Sequence, residues 1–149
     1  MIGYYLLFAF QVYFQEANLF TTQFKAMTQI SANELRLSNL IDYEGSIAKV
    51  MEIGGGGCVV YFEGGEITWI ELDQFSPIPI TPEWLERFGF EEIKHIDGYI
   101  FHTLSKEKIY IYKGSTTLRG VPVKHCEFVH QLQNLYFAYV GDEPKLKEI

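Results

Sequence analysis

The sequence predicts an α+β fold, and three patterns support this prediction. Short apolar runs with strand-like alternation and glycine-containing turns fill most of residues 40–72. Residues 81–89 carry the start and stop signals of a short helix. Residues 128–140 repeat apolar side chains with the helical period, whereas residues 99–113 alternate with period two. We therefore expect antiparallel strands combined with two helices.

Composition and charge limit the classes of function. The chain has 149 residues, 48% of them apolar, which suffices for one domain or for two small lobes that share a core. Its net charge of −7 argues against general duplex binding, which needs a positive surface. The charge is uneven: residues 30–93 hold three basic and twelve acidic groups, and residues 94–125 hold six basic and two acidic groups. Such halves can attract each other or neighbouring copies.

The first 26 residues and the cysteines bear on localisation. Tyr4–Phe14 (YYLLFAFQVYF) is apolar but shorter than the roughly 20 residues that span a bilayer, and no signal-peptide features flank it. Met27 is a plausible start, so residues 1–26 are expected to be an extension upstream of the true start. Cys58 and Cys126 lie far apart and indicate no disulfide framework. We expect a cytoplasmic protein with no membrane partner.

Residues 27–80 are predicted to form the first lobe. Ser31 and Glu34 have the spacing of a capping box, which marks one helical turn. Several short strands then follow closely, which is typical of a small, strongly bent antiparallel β-barrel of the Src-homology type. Gly54–Gly57 forms a hairpin tip rather than a phosphate loop, because no Lys-Ser/Thr pair and no helix follow it. The predicted strands are Leu40–Tyr43, Ser46–Ile53, Cys58–Phe62 and Ile67–Leu72.

Residues 81–149 are predicted to pack as one unit, with a short helix, a three-stranded antiparallel sheet and a C-terminal helix. Thr81 supplies the N-cap of the short helix, Pro82 takes its first position and Gly89 ends it. The strands of the predicted sheet are Gly98–Leu104, Lys108–Lys113 and Val121–His125.

The C-terminal helix, Phe128–Val140, is followed by Gly141 as a left-handed stop. No charged residue lies between Glu127 and Asp142, so both sides of this helix are expected to be covered. The residues expected to face the second sheet are Phe128, Leu132, Leu135 and Tyr139. The opposite stripe consists of His130, Asn134 and Phe137. Either the first lobe, the extension or a second protein covers this stripe.

No catalytic arrangement emerges from the sequence. His125, Cys126 and His130 form the one cluster of ligand-type residues, but zinc needs three or four ligands and no Cys-x-x-Cys accompanies them. A Cys–His nucleophile pair would also need an oxyanion donor and an orienting group. We therefore predict no catalytic residues, no metal site and no cofactor.

The basic 94–125 segment offers an alternative function. In the hairpin of residues 99–113, Tyr110 and Tyr112 share one strand face, and Lys108 and Lys113 flank them. Such a face could stack unpaired bases of a single-stranded nucleic acid or a nucleotide. Alternatively, the same aromatic side chains form the apolar floor beneath the C-terminal helix.

Three stretches resemble a known group of proteins. They are Asn33–Asn39 (NELRLSN), Pro77–Phe90 (PIPITPEWLERFGF) and Val129–Ala138 (VHQLQNLYFA). Together they resemble small uncharacterised proteins of bacteroidete phages, prophages and their hosts. The resemblance implies a phage or mobile-element context and carries no catalytic residues to this chain. The similar proteins usually have Gly where Ser38 stands, and most begin near the position of Met27.

From these patterns we expect a non-enzymatic accessory protein that binds another protein or associates with itself. The candidate binding residues are His130, Asn134 and Phe137 on the C-terminal helix. The alternative is single-stranded nucleic-acid or nucleotide binding through Tyr110 and Tyr112 and the lysines beside them.

Overall fold

The computed structural model describes residues 30–94, 100–104, 106–112 and 114–147. Within them the chain forms two antiparallel sheets and two helices, which confirms the predicted α+β class. The predicted extension, residues 1–26, lies outside the described residues. After a 3₁₀ turn at Ala32–Glu34, the elements are β1 (Leu40–Tyr43), β2 (Ser46–Gly54), β3 (Gly57–Phe62), β4 (Ile67–Glu71), α1 (Pro82–Arg87), β5 (Glu91–Lys94), β6 (Ile100–Leu104), β7 (Ile109–Tyr112), β8 (Ser115–Leu118), β9 (Val121–Val123) and α2 (Val129–Val140).

The first sheet is a meander of β1 to β4, paired in chain order. Its register shifts between Val50 and Glu52, and such a bulge bends the strand and increases its twist. The inner face packs against Ile30, Leu35 and Phe75 from the flanking segments. The buried side chains of this face are Ile41, Ala48, Val50, Cys58, Val60 and Ile70.

The first sheet is open, so the predicted closure into a barrel is not observed in the described residues. β1 and β4 are its two edges. After β4 the chain returns along β1, but it forms one bridge only, between Asp42 and Ser76. Pro77 and Pro79 follow and have no N–H group with which to extend the ladder. The return segment therefore covers the sheet without becoming a closing strand.

The second sheet has five strands, β5 to β9 in chain order, where the sequence predicted three. The predicted strands correspond to β6, β7 and β9. The sequence missed β5 because all four of its side chains are exposed, and it missed β8 because only Thr116 of that strand is buried. β5 is a strand because its backbone pairs with β6, and β8 because its backbone pairs with β7 and β9. Neither segment shows the apolar alternation by which a strand is predicted from sequence.

Helix α1 begins and ends where the sequence predicts. The Thr81 hydroxyl accepts a hydrogen bond from the N–H of Trp84, at 3.4 Å. Gly89 has a φ of 82°, and the N–H of Phe90 donates to the Leu85 carbonyl at 2.9 Å. These bonds satisfy groups that a short helix otherwise leaves unpaired at its ends.

Helix α2 is also capped locally at both ends. The side-chain oxygen of Gln131 accepts the N–H groups of Glu127 and Phe128, at 3.0 and 3.3 Å. At the other end Gly141 adopts a φ of 83°, and its N–H donates to the Phe137 carbonyl. The predicted left-handed stop is confirmed.

The larger core joins α1, α2, the second sheet and one edge of the first sheet. Leu132 of α2 is buried with Ile109 and Ile111 of β7, and Leu40 of β1 belongs to the same cluster. Leu135 is partly buried and packs against this cluster. The isoleucine side of β7, and not its tyrosine side, therefore faces the core.

We predict that Leu132→Ala lowers the free energy of unfolding by about 2–5 kcal/mol, because it leaves a cavity where the lobes share a core. Urea denaturation monitored by circular dichroism measures this change. The matched control is Val140→Ala on the same helix, which truncates an exposed side chain and should cost less than about 1 kcal/mol. Equal losses in the two variants would contradict the assignment of Leu132 to the core.

Candidate functional site

The amide side chain of Gln133 joins α2 to the start of β1. Its oxygen accepts the N–H of Leu40 at 2.8 Å, and its nitrogen donates to the Ser38 carbonyl at 3.0 Å. Gln133 is buried, and both ends of its amide are satisfied by backbone groups. Ser38 adopts a φ of 71°, a left-handed conformation that favours glycine. A glycine at this position would fit the backbone without strain.

Asn134 makes a second set of contacts with the same segment. Its nitrogen donates to the Glu34 carbonyl at 2.6 Å. Its oxygen accepts from the buried Asn39 amide at 2.9 Å and from Nε of Arg36 at 3.2 Å. We call the contact between residues 34–40 and α2 the lobe junction.

Arg36 closes the lobe junction at its outer rim. The guanidinium carbon lies 3.9 Å from the centre of the Phe137 ring, a cation–π arrangement. The same group forms an ion pair with Glu143, including a contact of 3.2 Å between Nη2 and Oε2. Phe137 remains 38% exposed beside this pair.

His130 is the buried titratable group of the lobe junction. Its Nε2 lies 3.5 Å from Oε2 of Glu34, and its ring stacks on Phe128 with centroids 6.0 Å apart. Nδ1 is buried and has no hydrogen-bond partner within the described part of the chain. Burial lowers the pKa of His130 below its ordinary value, and the nearby Glu34 carboxylate partly opposes this shift. The lowered pKa favours the neutral ring at pH 7, and Nε2 is the ring nitrogen that faces the Glu34 carboxylate.

The structure thus divides the predicted stripe on α2. His130 and Asn134 are covered by residues 34–39 of the first lobe and bond to that segment. Phe137 lies at the rim and stays partly open. The sequence left open whether the first lobe, the extension or a second protein covers this stripe, and the first lobe covers His130 and Asn134.

The predicted nucleic-acid residues lie on the opposite side of the molecule's second sheet from α2. Tyr110 and Tyr112 are each 37% exposed, while Ile109 and Ile111, which alternate with them along β7, are buried. Lys108 is exposed in the turn before β7. The other predicted lysine, at position 113, lies outside the described residues.

The outer face of the first sheet is a site that sequence reasoning missed. Cross-strand pairing places Lys49, Tyr61 and Ile67 in one row and Val59 and Trp69 in the next. This outer face is rich in exposed apolar side chains, which are Ile47, Met51, Tyr61, Ile67 and Trp69. The sequence did not distinguish it because the alternating residues of β2 and β3 are apolar on both faces of the strands.

The glycine-rich hairpin tip supports Trp69 on this outer face. A Cβ atom added at Gly57 would lie 2.6 Å from the indole and 2.3 Å from the Ile70 carbonyl oxygen. A Cβ at Gly55 would touch the same ring at 3.5 Å. Gly57 therefore has to be glycine, because a side chain would collide with the indole of Trp69 and with the Ile70 carbonyl. A spacing of glycines opposite an aromatic residue is the signal that could have identified this contact.

A cavity of about 370 Å³ lies beside α1 and includes Cys126 and His102 in its lining. Burial raises the pKa of the Cys126 thiol, although a hydrogen bond with Thr116 partly opposes the shift. The thiol is therefore protonated at pH 7, which is unfavourable for a nucleophile. In the described ranges no group of three or more His, Cys, Asp or Glu side chains could hold a metal ion.

Neither a protein-family model, nor a curated protein, nor a solved structure matches this chain. None of the helices in the described ranges has the length and apolar character required to cross a membrane.

We predict that the stability of the protein falls on acidification because of His130. Its pKa is lowered in the folded state relative to its ordinary value of 6.5, so the unfolded chain binds the proton more readily. The free energy of unfolding should decrease as pH falls below about 6.5 towards the folded-state pKa. Urea midpoints measured between about pH 7.5 and about pH 5 test this dependence.

The matched control is His130→Gln, which keeps a polar side chain near Glu34 but does not titrate in this range. This variant should show a weaker pH dependence than the wild type, with every other histidine unchanged. Parallel pH profiles would contradict a buried neutral His130.

Proposed function

We propose that the protein is a non-enzymatic protein-binding module and that the outer face of the first sheet is its main contact surface. The observation that supports this proposal is the set of exposed apolar side chains on β2, β3 and β4, among which Ile67 is 63% and Trp69 47% exposed. A grouped apolar surface with polar surroundings is typical of interaction sites. Aromatic side chains such as Trp69 and Tyr61 are also common anchors at interfaces.

The two hydrophobic cores leave most of the outer face of the first sheet accessible to a partner. The inner face of the same sheet is covered by the flanking segments, and the β1 margin of the outer face is covered where Leu40 enters the larger core. The rest of the outer face, towards β4, carries the exposed side chains. Phe137 adds a separate, smaller apolar contact at the rim of the lobe junction.

The cellular setting is part of the proposal. The resemblance of Asn33–Asn39, Pro77–Phe90 and Val129–Ala138 to phage and prophage proteins supports a mobile-element protein that acts in the cytoplasm. The absence of any disulfide framework in the sequence is consistent with that compartment.

The test compares two double variants that remove exposed apolar side chains. Ile47→Ser with Ile67→Ser alters the outer face, whereas Val121→Ser with Val140→Ser alters exposed positions elsewhere. All four positions are exposed, so both variants should keep melting temperatures within a few degrees of the wild type. Co-purification from native-host lysate with mass spectrometry detects a partner, and light scattering detects self-association. The wild type and the control variant should show one of these, and the outer-face variant should show neither.

A protein retained equally by all three forms, or by none, would contradict the proposal. Turnover of a nucleotide, ester or peptide substrate that a point mutation abolishes would contradict the non-enzymatic part.

A second candidate is single-stranded nucleic-acid binding on the tyrosine side of β7. The exposure of Tyr110 and of Lys108 beside it supports this candidate, because bases stack on open aromatic rings and lysines attract phosphates. The net charge of −7 and the neighbouring Glu91 on the same side oppose it.

Fluorescence anisotropy with a labelled single-stranded oligonucleotide at low and moderate salt tests the second candidate. Binding should weaken steeply as salt rises, and Tyr110→Ala should weaken it further through loss of base stacking. Absent or salt-insensitive binding would remove this candidate, and an unchanged affinity of Tyr110→Ala would remove stacking.

A further inference from the structure

β4 presents free backbone groups at the edge of the first sheet. The N–H of Phe62 donates to the Glu66 carbonyl, and the N–H of Leu72 donates to the Gly56 carbonyl. In this antiparallel register, residues 66, 68, 70 and 72 therefore point their backbone groups towards β3. The N–H and C=O groups of Ile67 and Trp69 point the other way, where no described strand pairs with them.

The other three sheet edges are protected. At β1, Gln133 takes the N–H of Leu40, and Ser76 bonds to Asp42 in both directions. β5 carries charged side chains at three of its four positions, and β9 is three residues long with a central Pro122. Charge, proline and short length are the usual ways in which proteins block strand addition.

β4 has none of these protections along Ile67–Trp69, and its residues favour strand structure. Its available stretch is bounded on one side, because the Gln74 side chain accepts the N–H of Glu71 at 2.9 Å and the N–H of Gln74 donates back to the Glu71 carbonyl. The open groups are thus those of Ile67 and Trp69, directly beside the most exposed part of the outer face.

The charges around this edge identify the kind of segment that fits it. Residues 40–73 contain one basic residue, Lys49, and seven acidic residues. Those nearest the edge are exposed and comprise Glu63, Glu66, Glu71 and Asp73. A second copy paired along β4 would bring these carboxylates together, and like charges across strands destabilise pairing. A basic segment would neutralise them instead.

We propose that β4 is a strand-addition site for an extended segment of a partner protein in which apolar and basic side chains alternate. The backbone of that segment bonds to Ile67 and Trp69, and its apolar side chains extend the outer face beside the indole. Its basic side chains alternate to the other face of the sheet, where Glu66 is the nearest of the edge carboxylates. This inference rests on the proposed protein-binding function and specifies how the partner is held.

The experiment uses a synthetic peptide that alternates Lys with Val and Tyr as the probe. The first control has the same sequence with alternate backbone amides N-methylated, which removes donors and keeps the side chains. The second control replaces every Lys by Glu. Binding is measured by tryptophan fluorescence in a Trp84→Phe background, and the exchange of backbone amide hydrogens is measured by NMR spectroscopy.

We expect the basic peptide to bind in a salt-dependent manner and to slow the exchange of the Ile67 and Trp69 amide hydrogens about tenfold or more. N-methylation should weaken binding about tenfold or more, because each lost backbone bond contributes to affinity. The acidic peptide should not bind. No binding up to about 1 mM peptide, or equal affinity of the N-methylated form, would overturn the proposal.

A pair of variants tests the same point on the protein. Ile67→Pro removes the edge-facing N–H at the first residue of β4, where proline is tolerated, and Ile67→Ala removes the side chain but keeps the N–H. Ile67→Ala measures what the side chain contributes to peptide binding. Ile67→Pro should bind the peptide more weakly than Ile67→Ala, because it also lacks the backbone N–H. Equal losses would assign binding to side chains alone and overturn strand addition.

Failure of this inference is distinguishable from failure of the proposed function. If the native partner depends on the outer face but leaves the Ile67 and Trp69 amides unprotected, strand addition is wrong and the protein-binding function stands. If no partner depends on the outer face, the function itself is wrong. Concentration-dependent protection of the two amides in the protein alone would assign the edge to a second copy and overturn the basic partner.

Discussion

The fold depends on two amide side chains of one helix, those of Gln133 and Asn134, which satisfy the loop that leads into the first sheet. The loop places the N–H of Leu40 and the carbonyls of Glu34 and Ser38 against α2, and the bond to the Leu40 N–H is buried. A buried backbone group without a hydrogen bond costs about 1–3 kcal/mol, so these contacts fix the register of the two lobes as well as holding them together. Sliding α2 by one turn would leave several of these groups unpaired.

This constraint accounts for the unusual absence of charge on α2. Residues 129–136 of α2 are buried or half-buried, and a buried charge there would be costly unless it were fully paired. Amides both donate and accept, so Gln133 and Asn134 can meet mixed backbone groups at short range. The charges that do occur at the lobe junction come from outside the helix, from Arg36 and Glu143 at the rim and from Glu34 opposite His130.

Three segments of the chain meet at this helix. Residues 33–39 bond to the polar side of α2, and the segment before α1 bonds to its start, where the N–H of Val129 donates to the Ile78 carbonyl and the N–H of Ile80 to the Glu127 carbonyl. These three segments therefore make structural contacts with one another. The surfaces proposed for binding lie elsewhere, on the outer face and open edge of the first sheet, which the lobe junction leaves free to contact a partner.

The sequence by itself determined the features of this protein that depend on neighbouring residues in the chain. The caps at Thr81, Gly89 and Gly141, the bounds of the first four strands to within a residue or two, and the α+β class all follow from turn chemistry and periodicity within a few neighbouring residues. The missing charge also predicted cover on both sides of α2, which holds for residues 129–136, whereas Phe137 and Val140 in the last turn are exposed.

Only the tertiary structure decided which surfaces meet. Whether β4 closes a barrel or stays an edge depends on a return segment whose prolines permit one bridge, and β5 and β8 become strands through pairing with neighbours. The outer face is exposed although it carries several large apolar side chains, because the flanking segments cover the inner face instead. These features depend on contacts between residues that are distant in the chain. Alternation along a strand therefore does not predict which of two apolar faces is exposed to solvent.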